Sequence, residues 1–297
     1  MIPAAIPAGG AAIVLATLNA KYIHASLGLR CLRANLGELR AQSMLMEFSI
    51  HDRPIDVAEA ILAAQPRVIG LGVYVWNARP MLELVTLLKR IAPDVHVVLG
   101  GPEVSHEVDQ QALCARADYV VTGEGEDAFR SLAERLLSGR PVLTKVHAGG
   151  LPDVATLVMP YREYSDEDVA NRVIYVEASR GCPFTCEFCL SALDEKVRLF
   201  PTDALLTELD ALIARGARQF KFVDRTFNLA PRTCHAIVDF MLARQDAGVF
   251  AHFEMIPDRL PEPLLERLAR FPPGRVQLEV GIQTFDMEPG EGHELLG

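Results

Sequence analysis

The sequence has 297 residues, a length that predicts roughly two domains of about 100–200 residues each. Hydrophobic residues make up 50% and charged residues 23%, with 21 glycines and 19 prolines, an ordinary globular composition that excludes disorder and collagen. Lys and Arg number 29 against 39 Asp and Glu, and the net charge of −10 argues against a basic nucleic-acid stripe and for a well-solvated surface.

The first half alternates strand and helix signals. Residues 11–18 form a continuous apolar run of strand length, far short of the roughly 18 residues that span a bilayer. Residues 27–40 predict a helix, with Leu29, Leu32, Leu36 and Leu39 at three- and four-residue spacing. Residues 44–50 predict a second strand and 57–64 a short helix. Residues 67–75 predict a third strand, and 81–91 a helix with Leu84, Leu87, Leu88 and Ile91 on one face. A fourth strand follows at 95–99, a short helix near 107–115, a fifth strand at 118–121 and a fifth helix at 126–137. Five such units over 11–139 predict an α/β domain with a flavodoxin-like (Rossmann-like), doubly wound parallel sheet. Ligands of such sheets bind outside the strands' carboxyl ends where strand order reverses, which places residues 19–26, 76–78 and 100–103 around one crevice.

Residues 140–171 break the rhythm with Pro141, Gly149, Gly150, Pro152 and Pro160, and read as a linker or a packed crossover. A second alternation occupies 172–285. It has strands at 173–176, 219–223, 250–255 and 275–282, and helices at 203–215, 232–244 and 263–270, with Pro231 at a first helical turn. Four strands with three intervening helices predict a partial (β/α) barrel of TIM-like type. Residues 286–297 carry no usable periodicity, so the chain is expected to be incomplete for its architecture.

Six cysteines are too few for a disulfide scaffold, yet Cys182, Cys186 and Cys189 fall in one short segment, Ser179-Arg180-Gly181-Cys182-Pro183-Phe184-Thr185-Cys186-Glu187-Phe188-Cys189. Cys31, Cys114 and Cys234 are scattered. The spacing C-x3-C-x2-C puts three thiolates in one turn-rich loop, as a cubane iron–sulfur cluster with one open iron requires. The alternative is structural zinc. That metal usually takes four ligands in paired spacings, and the nearest further candidates, Cys234 and His235, are remote in sequence. The motif, including Phe188 before the third cysteine, resembles that of the radical S-adenosylmethionine (SAM) enzymes. The resemblance implies a 4Fe-4S cluster on Cys182, Cys186 and Cys189, with SAM chelated at the open iron and cleaved to a 5′-deoxyadenosyl radical. It further implies SAM contacts from Phe188, from Asp224 beyond the second strand, from Glu254 ending the third, and from Glu279 and Gln283 bracketing the fourth. Glu279 is open to a second reading, a structural ion pair.

Three N-terminal segments resemble the cobalamin-binding domain of cobalamin-dependent radical SAM proteins. They are Gly70-Leu71-Gly72-Val73-Tyr74-Val75-Trp76, Leu99-Gly100-Gly101-Pro102-Glu103-Val104-Ser105 and Tyr119-Val120-Val121-Thr122-Gly123-Glu124-Gly125-Glu126. Paired glycines let a ligand tail approach the backbone, and a Gly-rich turn before a helix offers N–H donors. A plain strand-to-helix turn explains Gly100-Gly101 alone, and favourable charge at a helix start explains Glu124 and Glu126. The resemblance implies cobalamin contacts from Asn19, Lys21, Tyr22, His24, Ser26, Tyr74, Trp76, Gly100, Gly101, Pro102, Thr122 and Gly123. Trp76 is also readable as core filler. Many such domains carry Asp-x-His-x-x-Gly after the first strand. Here Tyr22 stands in place of the Asp and Gly28 is one residue late, which favours cobalamin bound without His24 as cobalt ligand.

These readings predict a cytoplasmic, cobalamin-dependent radical SAM enzyme, a methyltransferase acting on an unactivated carbon. Its substrate, a small molecule or peptide, and its catalytic residues are unassigned. The resemblance implies a flavodoxin- or ferredoxin-type electron donor; no nucleic-acid or membrane partner and no leader are expected, since Met1-Ile2-Pro3 lacks a positive flank. The alternatives are a radical SAM protein that does not use cobalamin and a truncated, non-catalytic fragment. The tRNA methylthiotransferases are set aside because they need three N-terminal-domain cysteines, where only Cys31 and Cys114 stand.

Overall fold

A computed structural model describes residues 9–184, 189, 196–257 and 260–281. The chain divides into two compact units, Met1–Pro152 with Thr156–Ser165, and Asp153–Ala155 with Asp166–Gly297.

In the first unit, β1 (Ile13–Asn19), β2 (Ser43–Ser49), β3 (Val68–Gly72), β4 (His96–Gly100), β5 (Tyr119–Thr122) and β6 (Val146–Ala148) form one parallel sheet in the order β2-β1-β3-β4-β5-β6. The connecting helices are α1 (Leu27–Ala34), α2 (Pro54–Ala63), α3 (Ala78–Ile91), α4 (Ala112–Arg116) and α5 (Glu126–Leu137). Strand β1 is buried along its whole length, which is why its sequence is a run and not an alternation. Its side chains separate by parity. Val14, Ala16 and Leu18 join the core formed with Val57 and Ile61 of α2 and with Leu84 and Leu88 of α3. Ile13 and Leu15 join Leu29 of α1 and Phe129 and Leu132 of α5. Both faces are therefore covered, as double winding requires. Gly70 in β3 is needed for the second layer, since a Cβ there would lie 2.7 Å from Leu15 Cδ2 and 3.0 Å from Phe129.

Three sequence expectations change. The helix expected over 27–40 stops at Ala34. Asn35 caps it, its amide nitrogen donating to Cys31 O (2.9 Å) and Val158 O (3.0 Å), and Gly37 then takes φ +58° into a short 3-10 segment. The helix expected near 107–115 is divided, because Glu107 sits at φ +49° and only Ala112–Arg116 is α-helical. The stretch 140–171 holds ordered elements of its own. It supplies β6, and Thr156–Ser165 packs on the first unit through Glu163, which accepts from Arg33 (2.5 Å) and Arg40 (2.7 Å). Tyr161 and Tyr164 are buried there, with the Arg30 guanidinium 4.5 Å from the Tyr164 ring centre.

The second unit runs α6 (Asp166–Asn171), β7 (Ile174–Val176), β8 (Ser179–Arg180), β9 (Arg198–Leu199), α7 (Thr202–Ala214), β10 (Gln219–Phe222), α8 (Pro231–Leu242), β11 (Phe250–Met255), α9 (Glu262–Leu268) and β12 (Val276–Val280). Strands β7, β10, β11 and β12 form a parallel sheet ordered β12-β11-β10-β7. Ile174, Val176, Phe220, Phe222, Ala251, Phe253 and Met255 are its buried parity, and Phe222, Phe227 and Phe253 cluster with ring centres 4.2–5.3 Å apart. The opposite parity is polar and half-buried: Tyr175, Lys221, His252 and Glu254. Among the described residues no helix is long and apolar enough to cross a membrane.

Gly70→Val should destabilise the first unit by about 1–3 kcal/mol, because the inserted carbons must displace Leu15 and Phe129 from a filled layer. Urea unfolding of the variant against the parent measures this.

Candidate cofactor sites

In the first unit strand order reverses between β1 and β3, and a buried amide joins their carboxyl ends. The Asn77 side chain is fully buried. Its Nδ2 donates to Thr17 Oγ1 (3.2 Å), Leu18 O (3.1 Å) and Gly72 O (3.2 Å), while its Oδ1 accepts from Tyr74 N (2.8 Å). Thr17 Oγ1 also donates to Gly72 O at 2.7 Å. These bonds fix the turn that presents Tyr74 and Trp76 with rings stacked 4.6 Å apart and 5° from parallel. Trp76 is 48% exposed and Val75 76%, so Trp76 is a surface ring and not core filler.

The β1–α1 loop lies beside them. Lys21, Tyr22 and Ile23 are exposed at its tip, and His24 is half-buried. Asn19 and Ser26 brace the loop. Asn19 Nδ2 donates to His24 O (2.8 Å) and Glu47 Oε1 (3.0 Å), and Ser26 N donates to the same carboxylate oxygen (2.5 Å). Ser26 also caps α1, accepting from Leu29 N. The second Glu47 oxygen accepts from buried Arg30 at 2.8 Å. Tyr22, Ile23, Val75 and Trp76 are thus exposed apolar groups on the exits of the two strands flanking the switch point.

At the β4 exit, Gly101 has φ +108°, and a Cβ there would lie 2.5 Å from Val73 O. Gly100 differs: a Cβ would meet only Val121 O, at an ordinary 3.6 Å. Gly100 O accepts from Val73 N, and Pro102 opens a 3-10 turn. Thr122 O accepts from Gly149 N of the β6 exit, and Gly123 N donates to Ser105 Oγ at 3.0 Å.

In the second unit the cysteine segment leaves the carboxyl end of β7 through β8. That strand pairs antiparallel with β9, Ser179 opposite Leu199 and Arg180 opposite Arg198, so the intervening loop is closed at its base. Gly181 takes φ +89° as the loop departs. Cys182 is buried, with its Sγ 3.9 Å from Thr226 Oγ1, and Cys189 is half-buried. Cys186, Phe188 and Gln283 lie outside the described residues. Asp224 is buried beneath the loop. Its carboxylate accepts from Ser179 Oγ (2.6 Å) and Ala178 N (3.1 and 3.2 Å), so its oxygens hold the start of the cysteine segment. Burial pushes its pKa up to about 6 against the opposing pull of those donors. Asn228 and Ile256 exchange two hydrogen bonds, 2.9 and 3.1 Å, tying the β10 exit to the β11 exit.

Glu254 and Glu279 are opposed in register on β11 and β12. Lys221 Nζ lies 3.6 Å from Glu254 and 3.4 Å from Glu279, and Glu279 also approaches His252 Nε2 at 3.0 Å. The ion-pair reading of Glu279 therefore describes its contacts. Burial and Lys221 lower the His252 pKa against the pull of Glu279. Cys234 is buried in α8 with its thiol pushed up to about 12 by burial, a protonated core thiol and a poor zinc ligand.

The sequence reading assigned no role to Glu47, Ser105 or Thr226, and it placed Asn77 only within the crevice segment 76–78. A polar residue in an apolar context was the available signal for Glu47 inside β2. Ser105 and Thr226 stood in segments already singled out.

Residues 13–133 match the family model described as B12 binding domain. That match lies within the first unit. The chain's relatives extend the likeness into the second unit. The chain is 30% identical over 222 residues to the cobalamin-dependent radical SAM methyltransferase TokK of Streptomyces tokunonensis, covering 65% of this chain and 32% of TokK. It is 30% identical over 194 residues to the 2-(S-pantetheinyl)-carbapenam-3-carboxylate methyltransferase of Streptantibioticus cattleyicolor, covering 56% of this chain and 28% of that enzyme. Among solved structures, the radical SAM methyltransferase TsrM of Kitasatospora setae, with cobalamin and a [4Fe-4S] cluster bound, superposes with a TM-score of 0.68 at 18% identity, over 91% of this chain and 59% of TsrM. The cobalamin-dependent radical enzyme OxsB gives 0.65 at 18% identity, over 87% of this chain and 41% of OxsB. The chain spans between 28% and 43% of the length of these and similar curated relatives. The fold expectation holds as an α/β chain with a flavodoxin-like, doubly wound parallel sheet followed by a second, four-stranded parallel β/α unit.

Asn77→Ala should cost about 1–3 kcal/mol by removing the side-chain partner of Tyr74 N and Leu18 O, while Gly72 O keeps the Thr17 hydroxyl. It should also change the fluorescence of Trp76, the single tryptophan of the chain, in the folded state. For Asp224, the folded-state pKa near 6 exceeds the ordinary 3.8, so the folded chain binds this proton more tightly between those values. Its stabilising contribution, complete below about pH 4, should be lost by about pH 6, on the order of 2–3 kcal/mol. Asp224→Asn should remove that slope in denaturant unfolding measured from pH 4 to 7.

Proposed function

We propose that this chain acts in a cobalamin-dependent radical SAM enzyme that transfers a methyl group to an unactivated carbon. One observation supports this above the others. Each unit is a parallel sheet, and each places a cofactor-type constellation outside its strands' carboxyl ends, the position where ligands of such sheets bind.

The residues fit both groups. In the first unit, exposed Tyr22, Ile23, Val75 and Trp76 offer an apolar surface for a flat macrocycle. Gly100 leaves free the space its own packing does not require. In the second, Cys182 and Cys189 stand in one loop with Cys186 between them in sequence, a set of three thiols that would hold three irons of a 4Fe-4S cluster and leave one open for SAM. When bound, the cluster and SAM supply a 5′-deoxyadenosyl radical, and cobalamin supplies the methyl group.

The chain's own residues position these groups. Asp224 fixes Ala178 and Ser179, and with the β8–β9 pair it sets where the cysteine loop begins. Thr226 lies against the Cys182 sulfur. Lys221 partly neutralises Glu254 and Glu279, leaving the polar, half-buried parity of the sheet with a net negative charge suited to a ligand's amino group. Asn77 holds the Tyr74–Trp76 turn. Electrons would come from a flavodoxin- or ferredoxin-type donor in a reducing cytoplasm.

Anaerobic reconstitution with iron and sulfide, then visible spectroscopy with and without hydroxocobalamin, tests the reading. A brown chromophore near four irons per chain, lost in Cys182→Ala and in Cys186→Ala, is expected together with a retained corrin band. A cluster without corrin would favour a radical SAM protein that does not use cobalamin, and neither chromophore would overturn the proposal.

A further inference from the structure

In the second unit one buried hydroxyl meets one cysteine sulfur. Thr226 follows β10 and Cys182 follows β8, and both are buried. Their side chains approach with Thr226 Oγ1 3.9 Å from Cys182 Sγ. Among the described residues this is the one side-chain hydrogen-bond contact that either of them makes. A buried hydroxyl is costly without a partner, so the sulfur is what satisfies Thr226.

Both groups are held in place. Val223 N donates to Val176 O at 2.8 Å, which ties the β10 exit to β7. Leu229 N donates to Thr226 O at 3.2 Å, and Asn228 exchanges two hydrogen bonds with Ile256 beyond β11. Phe227 is buried, with its ring centre 4.2 Å from that of Phe253. Thr226 thus sits in a segment anchored on both neighbouring strands. On the sulfur's side, Gly181 takes φ +89° and the β8–β9 pair closes the base of the loop. The Asp224 carboxylate accepts from Ala178 N and Ser179 Oγ and does not compete for the hydroxyl.

The direction of the contact follows from the chemistry of the sulfur. A cysteine ligates iron as the thiolate, which has no proton to give, so the hydroxyl is the donor. A donor stabilises the sulfur more as its negative charge grows. One-electron reduction of a cluster, by a donor of flavodoxin or ferredoxin type, places part of the added charge on its thiolates. Burial acts in the opposite sense and makes that charge costly. Hydrogen bonds to the sulfurs and solvent exposure are two of the features that set the potentials of such clusters.

We propose that Thr226 tunes the reduction potential of the cluster held by Cys182, its hydroxyl donating to that thiolate and making reduction easier. Thr226 acts through Cys182 and is a positioning residue, not a catalytic one. The inference rests on the cluster reading above and needs neither cobalamin nor a substrate.

The test uses the whole chain, reconstituted anaerobically with iron and sulfide and without SAM. The reduced fraction is read by electron paramagnetic resonance during an electrochemical titration with mediators. Thr226→Val keeps the side-chain shape and removes the hydroxyl. It should hold as much iron as the parent and show a midpoint potential about 59 mV lower, the equivalent of a tenfold change in a one-electron equilibrium. Thr226→Ser, which keeps the hydroxyl, should return the midpoint to the parent value. An unchanged midpoint in Thr226→Val at full iron content would overturn the inference. So would an equal fall in Thr226→Val and Thr226→Ser, which would assign the effect to packing of the methyl group. If Thr226→Val takes up no cluster, Thr226→Ala is read in its place. Failure of both, with Thr226→Ser loaded, would make the hydroxyl a requirement for assembly and overturn the inference as stated. If the parent takes up no cluster, the cluster reading itself fails, an outcome distinct from each of these.

Discussion

One carboxamide holds the organisation of the first unit. Asn77 sits where strand order reverses, with no exposure to solvent, and its two polar atoms meet four backbone or side-chain partners from β1, β3 and the turn after β3. The ends of parallel strands at such a point diverge, because the connections leave toward opposite faces of the sheet. Their last carbonyls therefore need partners outside the ladder, and a buried carbonyl without one costs about 1–3 kcal/mol. By supplying those partners, Asn77 allows the next residues to stand outside the core with their rings exposed.

The second unit meets the same physical demand with a charge. Asp224 collects the Ala178 N–H and the Ser179 hydroxyl at the carboxyl end of β7, where the chain must turn from a buried strand into the cysteine loop. A buried carboxylate is costly unless its oxygens are satisfied. Here the donors belong to the segment that leads into the loop, so the group's need for partners is also what fixes where the loop begins. Glu47 in the first unit is a parallel case. Its two oxygens gather Asn19, Ser26 and Arg30 and so shape the loop that bears Tyr22 and Ile23. In each case an acidic or amide side chain one layer below the crevice orders a loop that faces it.

The fold was legible wherever burial is periodic. The run at 11–18, the helix at 126–137 and the strand at 250–255 fall where their apolar spacing places them. The cysteine segment was legible because spacing within one loop is itself the chemical signal. Three features were not. The helix after β1 ends at Asn35 because that amide bonds Val158, 123 residues away, a partner that no local window contains. Strand β6 has an exposed, weakly apolar sequence of three residues and is a strand only because β5 offers it an edge. Glu163 looks like an ordinary loop acid until Arg33 and Arg40 are brought to it.

The amino-acid sequence by itself determined the two parallel α/β units, the positions of most strands and helices, and the thiol and glycine motifs, because each depends on spacings within about a dozen residues. The tertiary structure decided how the crevices are held: which carboxylate serves as a brace, that Trp76 is displayed and not buried, and that Ser105 joins two loops. Those roles arise from hydrogen bonds between strand exits that are adjacent only because the sheet is ordered β2-β1-β3-β4-β5-β6. A polar side chain gives no local sign of the partner it will meet, because the requirement it satisfies is created by burial and exists only once the strands are assembled.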